Sequence, residues 1–392
     1  MRILFQYYSG GGGGLANFIL LLHAYLRQFP GDHITIVCST DSELRRFSEC
    51  SNVTIIPIQS KNFKEFKRLW LGCFGLNMYA RKYKADIVWS LNLGHYLKIQ
   101  QPSVLSLNNA HQVYPKAVMR LHPGGPIKAM LLRFFFRASA RSSNGMIVQT
   151  RLMKKYVENL RGLEARVAVI PKAVENVKDV VPEPLYPALL SQINECHVTF
   201  NKYCGNWLYV ATALPHKNHE VLFRAFDLLR RRGRNHRLIL TIDESSALQI
   251  GGRVVAELLQ SGNLILIGWV NKEQLKSLYN SCDGCVMPSV LESLSSSHLE
   301  AMEWGIPQIT CDLPYARDLC GDAAIYVDPH SEEDWADAIE RLNEDKNLGK
   351  RLVAAGLTRM QLFPRTWDEC ASRIREFFIY IITGDGSGSW RL

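Results

Sequence analysis

The chain has 392 residues, of which 47% are hydrophobic and 21% are charged, and its formal net charge is +9. This composition excludes a disordered or fibrous chain, and the length suits two globular domains of about 150 to 200 residues each. No run of about 18 uncharged apolar residues occurs, so we expect no membrane-spanning helix. The apolar segment 19–22 is too short for a signal peptide, so we expect a cytoplasmic protein.

Short apolar runs alternate with segments of helical periodicity, a pattern that predicts parallel strands joined by helices. In the first half the predicted strands are Arg2–Tyr7, His33–Cys38, Val53–Pro57, Asp86–Ser90, Ser103–Leu107, Met146–Gln149 and Val167–Ile170. In the second half they are Trp207–Ala213, His236–Ile242, Asn263–Ile267, Gly284–Met287, Gln308–Thr310 and Ala324–Val327. The sequence therefore predicts an α/β protein with doubly wound domains at 1–175 and 207–366, joined by a polar, Pro-containing linker at 176–206.

A Gly-rich segment, residues 9–14, follows the first predicted strand and precedes a helix. Such a loop lets backbone approach a phosphate or a sugar closely at a helix N-terminus. Its glycines also come close to the G-x-G-x-x-G fingerprint of dinucleotide-binding proteins. However, Leu15 stands at the third glycine position, and Asp32 precedes the second strand instead of ending it. The dinucleotide fingerprint is therefore incomplete.

Two loops of the second half carry charged residues directly after a predicted strand. Lys217-Asn218 begins a helix, where a lysine ammonium can approach a diphosphate. Further on, Pro288-Ser289 leads into a hydroxyl-rich segment that we interpret as a helix beginning at Ser293-Leu294. On a helix of 1.5 Å rise per residue, Glu292 and Glu300 would lie about 12 Å apart along the axis and about 80° around it, a spacing that suits an elongated polar ligand.

The segment 288–307 resembles the Glu-x7-Glu motif of retaining glycosyltransferases of the GT-B fold, specifically glycosyltransferase family 4. The flanks agree as well, with Pro288-Ser289 before the first Glu, Glu300-Ala301-Met302 at the second, and Gly305-Ile306-Pro307 after the helix. The resemblance implies two doubly wound Rossmann-like domains facing a central cleft. It also implies that the C-terminal helix, within 367–392, crosses back to the N-terminal domain.

The resemblance assigns roles to the two charged loops. The first Glu of the motif faces the donor sugar and the second binds the ribose, which gives these roles to Glu292 and Glu300. The helix N-terminus at Ser293-Leu294 would face the diphosphate. Lys217-Asn218 matches the family's Lys-Asn pair, whereas Thr212 stands where the family has an Arg, so Lys217 is the main cation that we can name there.

Three further positions receive roles by the same resemblance. Gly13 and Gly14 belong to the Gly-rich loop that holds the sugar and diphosphate in the family. His111 follows the strand Ser103–Leu107 and matches a His that faces the donor sugar near its anomeric carbon. Val270, in Gly268-Trp269-Val270, matches the segment that holds the base through backbone contacts.

The implied reaction moves a sugar from a nucleoside-diphosphate sugar to a hydroxyl acceptor with retention, and His111, Lys217 and Glu292 are the catalytic candidates. We expect no cofactor and no metal, because no Asp-x-Asp motif is present and the C-x-x-C of Cys282 and Cys285 lacks a second ligand pair. A sugar-nucleotide epimerase or phosphorylase on the same fold is the alternative. An NAD-dependent dehydrogenase and a sugar-binding module without activity rank lower.

The positive charge is concentrated in the first domain. Residues 1–175 hold 24 Lys and Arg against 9 Asp and Glu, a net charge of +15, whereas the remaining residues have a net charge of −6. Cations alternate with large apolar residues in 61–70 and 128–137, which are either ordinary helices with their apolar faces in the core or a surface that docks on anionic lipid. Nucleic acid is a weaker alternative because no recognition motif is present. We therefore hypothesise peripheral docking at the inner face of the plasma membrane and a lipid-linked glycan acceptor, such as O-antigen or capsule.

Overall fold

The computed structural model describes residues 1–7, 13–59, 64–160, 162–174 and 203–385. The chain divides into two compact units, of which the first comprises Met1–Ala173 with Pro364–Leu392 and the second comprises Val174–Phe363. Of the predicted linker 176–206, residues 176–202 lie outside the described residues. Residues 203–206 belong to the first strand of the second unit.

The first unit is built on one parallel sheet with the strand order β3-β2-β1-β4-β5-β6-β7. Its strands are β1 Arg2–Tyr7, β2 His33–Ser39, β3 Val53–Ile58, β4 Ile87–Leu91, β5 Ser103–Leu107, β6 Gly145–Val148 and β7 Arg166–Val169. Its helices are α1 Gly13–Gln28, α2 Lys64–Trp70, α3 Leu76–Lys82, α4 Gly125–Ser142 and α5 Arg151–Glu158, and a π-helical turn, Leu71–Gly75, joins α2 to α3.

The second unit repeats this architecture with the strand order β10-β9-β8-β11-β12-β13, again all parallel. Its strands are β8 Tyr203–Tyr209, β9 Asn235–Leu240, β10 Leu264–Leu266, β11 Gly284–Met287, β12 Gln308–Cys311 and β13 Ala324–Val327. Its helices are α6 His219–Arg231, α7 Glu244–Gln260, α8 Lys272–Asn280, α9 Ser296–Glu303, α10 Pro314–Cys320, α11 Glu332–Glu344 and α12 Lys346–Met360.

All the predicted strands are present, and the predicted fold of two doubly wound α/β domains is confirmed. The largest error in strand bounds concerns β8, which ends at Tyr209 instead of Ala213. The chain leaves the backbone ladder after Tyr209, because the backbone N–H of Ala211 donates to the side-chain Oγ1 of Thr241 at 3.0 Å. The apolar residues that follow Tyr209 therefore form a loop at the carboxyl end of the strand.

The C-terminal helix, α13 Trp367–Thr383, packs against α1 in the first unit, as predicted. Its Phe378 ring lies edge-on to Trp89 of β4, with 5.3 Å between the ring centroids. Its Arg375 Nε donates to Asp32 at 2.8 Å, and Tyr25 donates to the same carboxylate at 2.9 Å. Asp32 is thus a buried helix-packing residue at the amino end of β2, away from the carboxyl edge where a dinucleotide ribose would bind.

Within the described residues, no helix is both long and apolar enough to cross a lipid bilayer.

Candidate functional site

The strand order of the second sheet reverses between β8 and β11. From β8 the sheet continues to β9 and β10 on one side, whereas β12 and β13 follow β11 on the other side. In parallel α/β sheets, the loops that leave the carboxyl ends of two such strands diverge and leave a crevice for a ligand. Loop 210–218 after β8 and loop 288–295 after β11 therefore border the expected ligand crevice of this unit.

Lys217 lies at the end of the first of these loops. It closes a 3₁₀ turn, Pro215–Lys217, and the next residue, Asn218, adopts a left-handed backbone conformation with φ 54° and ψ 40°. Asparagine tolerates this conformation better than most residues do. The Nδ2 of Asn218 donates to the carbonyl of Pro329 at 2.8 Å, which anchors the turn. The sharp change of direction places Lys217 at the N-terminus of α6, beside the loop that follows β11.

Lys217 and Glu292 form an ion pair across the two loops. Nζ lies 2.5 Å from Oε1, and the side chains are only 18% and 12% exposed. Burial by itself raises the pKa of Glu292, but the Lys217 ammonium and a hydrogen bond from Ser289 outweigh it and hold that pKa below its usual value. Glu292 is therefore ionised at neutral pH. The sequence predicted both residues but not their contact.

Buried hydroxyl groups hydrogen-bond to the two loops that carry this ion pair. Tyr209 donates to the carbonyl of Lys217 at 3.0 Å and lies 2.8 Å from Ser289 Oγ. Tyr315 donates to the carbonyl of Ser289 at 2.5 Å. Burial raises the pKa of both phenols well above the usual value, so they remain neutral donors. Sequence reasoning missed this network, because Tyr209 and Tyr315 belong to a strand and a helix that are distant in the chain.

The predicted helix start at Ser293-Leu294 is wrong. Helix α9 begins at Ser296 with Ser295 as its N-cap, so Glu292 lies in the preceding loop and does not share a helix with Glu300. The predicted axial and angular spacing therefore does not apply. The loop is held by tertiary contacts, since Leu294 is buried in an apolar cluster and Glu292 is bound to Lys217. Ser293, between them, is half-buried.

Glu300 and Val270 belong to two other elements of the second unit, the helix after β11 and the loop after β10. Glu300, on α9, accepts a hydrogen bond from Tyr279 Oη at 3.1 Å. Val270 is half-buried and follows β10, two strands away from β8, which corresponds to about 10 Å at the usual strand spacing. Trp269 beside it is 86% exposed and is therefore not a packing residue. The predicted nucleotide-binding residues thus occur along one edge of the sheet.

The first unit carries the remaining predicted residues. Gly13 and Gly14 begin α1, which follows β1. Strand β1 lies next to β4, where the strand order of the first sheet reverses. Residues 8–12, which include the rest of the Gly-rich loop, lie outside the described residues. His111 lies in a 3₁₀ turn after β5 and is 9% exposed. Its ring packs edge-on against His122, with 5.1 Å between the ring centroids. The proposed roles of these residues stay predictions.

No group of three or more His, Cys, Asp or Glu side chains in the described part of the chain is placed to hold a metal ion. His298, near the ion pair, is buried, and burial lowers its pKa to about 4. Its Nε2 lies 2.8 Å from Thr310 Oγ1, and that hydroxyl donates to the carbonyl of Met287. His298 is therefore a neutral imidazole that joins α9 to β12 and β11.

Family models match both units. Residues 206–359 match the model described as glycosyl transferases group 1, and residues 12–176 match that of glycosyltransferase family 4. Similar curated proteins include O-antigen chain mannosyltransferase B of Escherichia coli, which is 27% identical over 46% of this chain and 48% of its own length. O-antigen chain mannosyltransferase RfbU of Salmonella typhimurium is 27% identical over 35% of this chain and 38% of its own length. The chain thus spans about half the length, or less, of these relatives.

Solved structures match nearly the whole chain. Sucrose-phosphate synthase from Thermosynechococcus elongatus has a TM-score of 0.71 at 16% identity and covers 98% of this chain and 100% of its own. HepE of Anabaena, solved with UDP and glucose, has a TM-score of 0.67 at 16% identity and covers 97% of this chain and 99% of its own. These likenesses establish the fold. Because the two family models together match more than half of the residues, the chain belongs to the glycosyltransferases of the GT-B fold.

Proposed function

We propose that the protein is a retaining glycosyltransferase that moves a sugar from a nucleoside-diphosphate sugar to a hydroxyl acceptor in cell-envelope polysaccharide biosynthesis. The observation that carries this proposal is the contact between Lys217 and Glu292 at the strand-order reversal of the second sheet. Two relatives named as O-antigen mannosyltransferases support a glycan product, such as O-antigen or capsule. The likeness to HepE, solved with UDP and glucose, supports a nucleotide-sugar donor.

The ion pair offers the two kinds of charge that such a donor needs. The Lys217 ammonium lies at the N-terminus of α6, where both it and the helix dipole favour a diphosphate. The Glu292 carboxylate can accept hydrogen bonds from sugar hydroxyls. Loop 210–218 contains no other Lys or Arg, because Thr212 stands at the position of the family's Arg. Lys217 is therefore the cation of this loop that would stabilise the departing diphosphate.

In the proposed reaction the acceptor oxygen forms a bond to the anomeric carbon on the face from which the diphosphate leaves. The bond between that carbon and the diphosphate oxygen breaks, and the diphosphate takes the acceptor proton. Lys217 offsets the negative charge that grows on the leaving group. Since a lysine and a helix dipole supply this charge, we propose that the reaction needs neither a metal nor a cofactor.

The other predicted residues have proposed roles towards the same donor. Glu300 would bind the ribose hydroxyls, and the backbone at Val270 would contact the base. Gly13 and Gly14 would let α1 approach the sugar and diphosphate closely. His111 would face the sugar near its anomeric carbon.

We also propose that the enzyme acts on a lipid-linked acceptor at the cytoplasmic face of the plasma membrane, docked through its first unit. The support is the net charge of +15 over residues 1–175. Among the cations singled out from the sequence, Lys67 and Arg68 are half-buried on α2, and Lys67 Nζ donates to the carbonyl of Gln59 at 3.0 Å. Lys61 and the side chain of Lys64 lie outside the described part of the chain.

The experiment that tests the function is a thermal shift and nucleotide-release assay across uridine, guanosine, thymidine and adenosine diphosphate sugars. A donor at 100 times its Kd should stabilise the fold by about 2.7 kcal/mol, and only the correct base should do so. Release of nucleotide should then require an acceptor. Lys217→Gln should abolish release, whereas Lys350→Gln, an exposed lysine of the same unit, should not.

Four results would contradict the proposal. If no nucleotide sugar stabilised the protein, the donor assignment would be wrong. Interconversion of the donor sugar without transfer would favour an epimerase. Phosphorolysis in place of transfer would favour a phosphorylase. A product with inverted anomeric configuration, measured by the proton coupling constant of the anomeric position, would exclude retention.

A further inference from the structure

Helix α4 exposes an apolar stripe instead of burying it. Ile127, Met130, Leu131 and Phe134 follow the spacing i, i+3, i+4, i+7 and are 72%, 57%, 51% and 67% exposed. A stripe with this spacing normally faces the core of a globular protein. The alternative of an ordinary core-facing helix holds for the opposite face, where Phe136 is fully buried, but it does not account for this exposed stripe.

The opposite face of α4 explains this orientation. The buried residues of the helix include Ala129 and Ser139 and also a charged one, Arg133. Arg133 Nη1 donates to the carbonyls of His111 and Tyr114 at 3.1 and 2.5 Å, which satisfies the buried guanidinium. Rotating the helix to bury Phe134 would break these hydrogen bonds. The outward direction of the apolar stripe is therefore fixed by the packing of the first unit.

A second exposed apolar stripe lies on the continuous helical segment 64–82. Trp70, Phe74 and Met78 are spaced by four residues and are 39%, 63% and 46% exposed. Tyr96 joins this segment to α4, because its N–H donates to the carbonyl of Gly72 at 2.8 Å and its ring packs at a tilt against Phe135, with 4.9 Å between centroids. The two stripes thus belong to neighbouring helices.

Cations surround these stripes. On an ideal helical wheel Lys128 lies about 110° to one side of the centre of the α4 stripe, and Arg137 lies about 70° to the other side. Both are exposed, as is Arg141 one turn further along. Residues 64–142 hold thirteen Lys or Arg and only two Asp or Glu. Apolar side chains flanked by cations complement an anionic bilayer, which offers negative headgroups above an acyl layer.

We propose that the first unit inserts an apolar patch, defined as Phe74, Ile127, Met130, Leu131 and Phe134, below the headgroups of an anionic membrane. The inference deepens the membrane docking proposed above, since it names the side chains that enter the bilayer. It predicts a binding component that survives salt, because screening weakens the cation contribution but leaves apolar burial intact. Docking by charge alone predicts that salt releases all of the protein.

The test is co-sedimentation of the full chain with phosphatidylethanolamine vesicles that contain or lack phosphatidylglycerol. Wild-type protein should bind the anionic vesicles and remain partly bound at about 1 M salt, where the Debye length is about 3 Å. Leu131→Ser combined with Phe134→Ser should lower the salt-resistant partition coefficient about a hundredfold. Lys128→Gln combined with Arg137→Gln should weaken binding at low salt and leave the salt-resistant component.

The chain offers a matched control in its second unit. Leu357 and Leu362 are 48% and 55% exposed, so Leu357→Ser combined with Leu362→Ser removes similar apolar surface away from the patch. This control double variant should bind vesicles as well as the wild type does. An equal loss in this control, or complete release of wild-type protein by salt, would overturn the inference. Circular dichroism and the melting temperature verify that each variant is folded.

Two further readouts separate this inference from other outcomes. Light scattering without vesicles reports whether the patch instead joins two copies of the chain, and a dimer that Leu131→Ser with Phe134→Ser dissociates would overturn the membrane assignment. Nucleotide release with a water-soluble acceptor analogue reports on catalysis. Unchanged release together with absent insertion would refute only the inference, whereas absent release in the wild type would refute the proposed function.

Discussion

Removing the lysine of the Lys217–Glu292 ion pair should destabilise the second unit as well as stop catalysis. At the observed 2.5 Å, an effective dielectric constant of about 20 gives an attraction of about 7 kcal/mol before desolvation is subtracted. Breaking a buried pair by removing one partner costs about 3 to 5 kcal/mol, because the remaining charge is left without compensation. Since the two side chains keep 18% and 12% exposure, we expect Lys217→Met to cost about 3 kcal/mol at pH 7.

The pH dependence of this loss follows from the pKa of Glu292. In the wild type the lowered pKa contributes stability above the usual value of 4.5, which is lost as the pH falls through the folded-state pKa. Without Lys217, burial should raise the pKa above 4.5, so the folded variant binds a proton more readily than the unfolded chain. The difference between Lys217→Met and wild type should therefore be largest at pH 7 and shrink as the pH approaches 4.5.

The assay is urea unfolding followed by circular dichroism at pH 7 and pH 5, with Lys350→Met as the control at an exposed lysine. Combining Lys217→Met with Glu292→Gln removes both charges and should restore stability to within about 1 kcal/mol of wild type. Turnover should remain at least about a hundredfold low in both variants, because the cation that we assign to the diphosphate is absent. Wild-type stability in Lys217→Met at pH 7, or a double variant no more stable than the single one, would refute this reasoning.

Three other predictions concern nucleotide binding, metal dependence and pH. Glu300→Gln should weaken nucleotide binding about tenfold in calorimetry with less effect on turnover, and an unchanged Kd would remove Glu300 from the ribose site. Turnover should persist in EDTA, and its loss with recovery on adding magnesium or manganese would show that a metal supplies the charge we assign to Lys217. The free energy of unfolding should fall as the pH drops from 6.5 towards 4, by up to about 1.4 kcal/mol per pH unit for each buried imidazole, because unfolding lets these groups bind protons. Burial lowers the pKa to about 4 for His95, His219, His236 and His298. If the free energy of unfolding, measured with urea, did not change between pH 6.5 and pH 4, these four histidines would not be the neutral buried groups that we describe.

The strands and the fold could be predicted because parallel strands are buried on both faces and therefore form continuous apolar runs. Strand β11, Gly284–Met287, has the predicted bounds. Strand β8 ends earlier than predicted, because the N–H of Ala211 donates to the Thr241 side chain instead of to a neighbouring strand. The start of α9 was misplaced for a similar reason. Ser293 and Leu294 have no local property that prevents a helix, but the burial of Leu294 and the ion pair of Glu292 hold that segment in a loop.

Local sequence was sufficient to identify the α/β class and the strands, because each depends on neighbours within a few positions. The residues of the proposed donor site stay predictions. Local sequence could not establish that Lys217 touches Glu292, 75 residues away, since that contact depends on β8 lying next to β11. Nor could periodicity decide which face of α4 is buried. A periodic stripe shows only that two faces of a helix differ, and here the hydrogen bonds of Arg133 with the backbone beneath it turn the apolar face outward.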